Sequence, residues 1–152
     1  MNPNNIGFMQ GRLCDQIDGL IQAFPIPFWE EEFKTAGEVG INLMEWTLDT
    51  FKISQNPLLI ENGRNKIKKL KNDHNLQICS LTGDCFMQNP FWKSVGNEKK
   101  FLQNQLLYIC EACYLLDIRI IVIPIVDNGA IENLHQEEVL IEFLLDKSQL
   151  LK

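Results

Sequence analysis

Four times along the chain an apolar, largely β-branched run stops at a polar or acidic cluster and gives way to helical spacing. The runs are 6–9 before Gln10 and Arg12, 41–46 leading to Asp49, 76–81 before Thr82 and Asp84, and 118–126 before Asp127 and Asn128. Short runs of this composition read as strands. Between them the apolar residues change to a period of three and four. Trp29, Phe33, Ala36 and Gly40 predict a first helix over 27–39, released into the next strand by Gly40. Asn56 as cap and Pro57 at the first helical position predict the start of a second, with Ile60, Ile67 and Leu70 on its core side. Leu102, Leu106, Ile109, Cys113 and Leu116 mark a third over 98–116. A fourth opens with Asn133 and Gln136, a variant of the capping box, and continues through Leu140, Phe143 and Leu144.

Strands alternating with helices predict an α/β fold with a parallel sheet, here one domain over 1–152. Two architectures share that description. In an open doubly wound sheet the strand order reverses and helices cover both faces. In a barrel the order stays sequential and the helices lie on one side, so four units make half of a TIM-type barrel, with one sheet face and two edges uncovered. The half-barrel is the leading expectation and the doubly wound sheet the alternative.

Composition bounds the function. With 45% hydrophobic and 22% charged residues the chain has the make-up of an ordinary globular domain. A net charge of −6 disfavours a mainly electrostatic nucleic-acid binder. The basic run Arg64, Lys66, Lys68, Lys69 and Lys71 surrounds Ile67 and Leu70 as the wet side of an amphipathic helix. No export signal is read at the start, the apolar stretch 120–126 is too short to cross a bilayer, and a cytoplasmic location is the default expectation. Five cysteines without a secretory context favour free thiols.

Residues just past strand ends gather on one face in parallel α/β folds, and such folds do their chemistry there. Glu45, Asp49, Asp84 and Asp127 therefore share one rim, a pattern suited to proton transfer beside a carbonyl or to binding a cation or sugar hydroxyls. Each aspartate also has the bland reading of a helix or loop cap. Glu45 resists it, because it stands inside an apolar strand between Met44 and Trp46, where a carboxylate needs a partner or an aqueous cavity. Arg12 suits a phosphate or carboxylate, with a salt bridge to a neighbouring acidic loop as the alternative. Phe24, Trp29, Phe86, Phe91 and Trp92 either wall a pocket or, more commonly for loop aromatics, anchor their own loops. His74 and His135 are too far apart in the pattern to form a cluster of metal ligands, and the Cys110/Cys113 pair sits deep inside a helix, where core packing is the better reading. Fingerprints for dinucleotides, nucleoside triphosphates and serine hydrolases are absent.

In order along the chain, Met9-Gln10-Gly11-Arg12-Leu13, Gln22-Ala23-Phe24-Pro25, Trp29, Glu32-Phe33, Ala36, Gly40, Glu45-Trp46, Asn56-Pro57-Leu58, Ser80-Leu81-Thr82-Gly83-Asp84-Cys85-Phe86-Met87 and Pro124-Ile125-Val126-Asp127-Asn128 are similar to a known series. The chain resembles the N-terminal half of the sugar phosphate isomerase/epimerase proteins, the xylose isomerase-like barrels. That resemblance implies a (β/α) barrel whose rim binds a sugar or sugar phosphate and moves a proton beside a carbonyl, in carbohydrate metabolism. It also implies a divalent metal held mostly by residues of a second half-barrel, so no metal ligand is assigned within 1–152. Gln10, Arg12, Glu45, Asp84, Asp127 and Asn128 become substrate-pocket candidates, with Glu45 and Asp84 the best candidates for catalysis. The isolated chain is expected to be inactive. A different reading is a non-catalytic half-barrel that dimerises or docks on a separate partner half. The family's apurinic-site endonuclease branch fits less well, since the early strand ends offer no histidine.

Overall fold

The computed structural model describes residues 6–17, 19 and 23–149. Residues 1–5 and Gln22 of the resemblance series lie outside them. The described chain is an α/β unit with one sheet of four parallel strands, β1 (Gly7–Met9), β2 (Leu43–Thr47), β3 (Gln77–Thr82) and β4 (Ile120–Val122). Their order in the sheet is β1-β2-β3-β4, without a reversal. Five helices accompany them: α1 (Glu31–Val39), α2 (Glu61–Asp73), α3 (Asp84–Gln88), α4 (Gly96–Tyr114) and α5 (Leu134–Asp146).

The period-two alternation of the strands divides the sheet into two unlike faces. Met44, Trp46, Ile78 and Leu81 are at most 2% exposed and join one apolar cluster with residues from every helix. On the opposite face Cys79 is exposed, Glu45 and Ser80 are half-buried, and Ile120 and Val122 keep 58% and 40% of their surface. The helices thus cover one face. β3 carries a bulge opposite the Met44/Glu45 step: Met44 pairs with Ile78, but Glu45 pairs with Ser80. The extra residue, Cys79, re-aims Ser80 and so brings it level with Glu45.

Local signals explain two of the helix ends and one 3₁₀ turn. α1 stops at Gly40, whose φ of 79° is the left-handed conformation that closes a helix at least cost to glycine. Turns rather than helix fill 26–30, so α1 starts later than its periodicity predicts. Asn56 does cap, accepting from Leu58 N, but the element it opens is a single 3₁₀ turn, Pro57–Leu59, and α2 begins at Glu61. Its carboxamide oxygen also accepts from the Trp46 indole at 3.2 Å, which ties the cap to the sheet. Asn133 accepts from Gln136 N as its spacing predicts, and Gln136 returns a bond to Glu132 N. The fourth strand is shorter than its apolar run, since only Ile120–Val122 pairs with β3. Among the described residues no helix is long and apolar enough to cross a membrane.

Candidate functional site

Glu45 sits in the middle of β2 on the uncovered face, and both its oxygens are held from the neighbouring strand. Ser80 Oγ donates to Oε2 at 2.6 Å and Thr82 Oγ1 donates to Oε1 at 2.5 Å. Two hydroxyls spaced along one strand therefore fix the carboxylate's plane, and the arrangement depends on the bulge that aligns Ser80 with Glu45. The pairing answers the objection that a carboxylate in an apolar strand needs partners.

Asp84 opens α3 directly beyond β3 and is 4% exposed. Among the described residues its carboxyl accepts no hydrogen bond. Burial pushes its pKa up, and the nearby charges of Asp49 and Glu45 push it further the same way. Asp49 has a different task. Its Oδ2 accepts from Phe24 N and its Oδ1 from Phe51 N, both at 2.7 Å, so it staples the loop after β1 to the loop after β2. The structure thus brings three predicted carboxylates near one another, with Asp49 spent on backbone amides, Glu45 held by two hydroxyls and Asp84 buried beside them.

The remaining candidates disperse. Gln10 is fully buried; Thr47 N donates to its Oε1 at 3.4 Å, Thr47 Oγ1 donates to its backbone oxygen, and among the described residues its Nε2 has no partner. A side chain so enclosed pins β1 to β2 rather than reaching into open space. Arg12 is exposed, and among the described residues its guanidinium bonds only the Met9 sulfur, at 3.7 Å. Asp127 is exposed at the head of a 3₁₀ turn, Asp127–Gly129. Asn128 donates to Gln88 O at 2.9 Å and so joins the fourth loop to α3. Gln88 in turn accepts from Thr50 N at 2.7 Å, and Trp92 Nε1 donates to Gly129 O at 3.1 Å. Each rim loop is bonded to its neighbour, which gives the carboxylates a fixed frame. The five aromatics, all at most 9% exposed, serve that frame: Phe24 and Trp29 stack around Trp46 at 5.4 and 6.0 Å, and Phe91 meets Phe143 at 5.0 Å.

Two functional supports were not assigned from sequence. Ser80 and Thr82 share a strand face at period two, a signal present in the pattern, but the bulge that levels them with Glu45 is not. Glu32 is the other. It is completely buried and accepts from Gly11 N at 2.8 Å and Leu13 N at 3.0 Å, holding the turn after β1. Burial raises its pKa, and the amide donors work in the opposite direction. Its position three after Trp29 and four before Ala36 puts it on the buried side of α1, which the periodicity does contain.

A divalent metal finds no ready-made site in this set. Asp49's oxygens are taken by amides and Glu45's by hydroxyls, and among the described residues no three His, Cys, Asp or Glu side chains are grouped to hold an ion. Two cavities lie away from the carboxylates. One of about 490 Å³ separates α4 from α5, and one of about 610 Å³ runs beside β4 between α4 and α5. Comparison with protein-family models, with curated proteins and with solved structures finds no match to this chain.

Proposed function

We propose that the chain is half of a (β/α) barrel whose rim binds a sugar or sugar phosphate and moves a proton beside its carbonyl, an isomerase or epimerase type of chemistry. The sequential strand order and the one-sided helix layer support the half-barrel, because a doubly wound sheet reverses its order and covers both faces. One observation carries the chemical reading: Glu45 is oriented by two hydroxyls on an uncovered face while Asp84, close by, is pushed toward its protonated form. Two carboxyls in unlike environments are the usual arrangement for splitting base and acid roles. Glu45 takes the proton from carbon, and Asp84, whose acid form burial and its neighbours favour, donates to the carbonyl oxygen as negative charge develops there. Ser80 and Thr82 position the base. Completing the pocket falls to the opposite half of the barrel, so the chain by itself binds without turning over.

The test is a titration of the ¹³C-labelled protein with ketoses, aldoses and their phosphates, following the side-chain carboxyl signals of Glu45 and Asp84. A saturable shift of both, removed for Asp84 by Glu45→Gln, is expected. Signals that ignore every member of the panel would overturn the reading.

A further inference from the structure

The two open edges of the sheet complement each other. At one edge, Phe8 of β1 lies beside Met44 on the helix-covered side and is only partly buried, while Ile6 just before it keeps 62% of its surface. At the other edge, Ile121 and Ile123 line the cavity of about 610 Å³, together with Leu106 of α4 and Leu144 of α5. One edge thus presents apolar side chains on the same side of the sheet where the other presents an apolar hollow.

The rim adds opposite charges. Arg12 follows β1 and Asp127 follows β4; both are exposed, and among the described residues neither is in an ion pair.

The register of a closed barrel aligns these features. Across the sheet Met9 is level with Glu45, Ser80 and Ile120. An eight-stranded barrel has a shear of about eight residues, so two identical halves divide it into about four each. The direction follows from the strand ends: the chain turns away at Gln10, the residue after Met9, but reaches its rim turn only past Val126 in the fourth unit. A displacement of about four residues in that direction sets Val122 of one copy opposite Gly7 of the other, with Ile123 opposite Phe8 and Asp127 opposite Arg12.

We propose that two copies of this chain close edge to edge, β4 of each against β1 of the other, with Ile6 and Phe8 entering the β4 cavity and Arg12 pairing with Asp127 at both seams. The inference rests on the half-barrel reading and names the partner that reading needs. A two-fold axis along the barrel keeps every strand parallel and leaves no edge open, which removes the association hazard of exposed strands.

Sedimentation equilibrium of the full chain decides it. The wild type is expected at twice 17.6 kDa. Arg12→Glu and Asp127→Arg each weaken the dimer by about tenfold, since each places like charges at two seams, and the doubly substituted chain recovers wild-type association. Val122→Lys, a change at a residue 40% exposed in the single chain, gives a monomer and decides the matter if a charge variant misfolds. A monomeric wild type, a larger assembly, a dimer indifferent to Val122→Lys or to the single reversals, or a double variant that stays dissociated would each overturn the proposal. A monomer that still answers polyols at Glu45 removes only the second copy. A dimer whose carboxyl signals ignore them removes only the reading of the site.

Discussion

Ser80 donates to Glu45 Oε2 across 2.6 Å from the neighbouring strand, and it can do so because one extra residue, Cys79, is inserted into β3. Thr82 completes the clamp on the other oxygen. Ser80→Ala together with Thr82→Val is expected to cost about 2–3 kcal/mol of stability, because two hydrogen bonds to a carboxylate are lost. Polyol binding at Glu45 should fall at least about tenfold, because the carboxylate loses its fixed plane. Urea unfolding and the carboxyl titration measure the two effects separately, and a large stability loss without a binding loss would make the clamp a purely structural one.

Asp84 links pH to stability with a definite sign. Its folded-state pKa is raised above the ordinary 3.8, by burial first and then by Asp49 and Glu45. The folded protein therefore binds this proton more tightly than the unfolded chain, and the group's stabilisation, full below 3.8, is lost as pH rises from there through the folded value. Asp84→Asn should flatten that part of the stability curve and leave the protein at least as stable at pH 7. Asp49→Asn should bring the Asp84 carboxyl signal's midpoint down, since it removes one of the two charges. An unmoved midpoint would mean that burial alone sets it.

Glu32 is the buried carboxyl on which the turn after β1 depends. Glu32→Ala strands the amides of Gly11 and Leu13 without an acceptor and should cost about 3 kcal/mol. Glu32→Gln keeps one acceptor oxygen and should recover about half of that. Denaturant midpoints for the two variants provide the check, and equal midpoints would show that the amides find other partners.

Gly83 is held to its residue by close approach. A Cβ there would lie 2.3 Å from the Phe86 ring and 3.2 Å from Val122 O. Gly83→Ala should destabilise by about 1–3 kcal/mol as the buried ring is displaced. Phe86→Leu in the same chain should return part of that loss if the ring is the obstacle.

The five thiols should separate by reactivity. Cys85 and Cys113 are buried and pushed up to about 12, and Cys110 and Cys14 to about 11, all with burial as the main cause. Cys79 is the exposed one. A thiol titration of the dissociated Val122→Lys variant at pH 8 should label Cys79 first, with Cys85 and Cys113 reacting only after unfolding.

Local chemistry made much of this fold readable in advance. The βα rhythm, the buried faces of α4 and α5, the Gly40 stop and the Asn133 cap all depend on contacts within one or two turns, and each is present in the structure. The placement of Glu45 as a carboxylate needing partners also follows from its apolar neighbours alone. What pairs with it does not. Short α3 has no periodic signature, the bulge at Cys79 changes which residues share a level, and Gln10 turns inward against Thr47 across 37 positions of sequence. Strand order, loop-to-loop bonds and the aim of a carboxylate are decided by groups distant in sequence, whose meeting depends on how all the helices pack on one sheet. The amino-acid pattern by itself determined most of the elements and the rim on which the carboxylates gather; only the tertiary structure decided that Ser80 and Thr82 hold Glu45 while Asp49, Glu32 and Gln10 hold the frame.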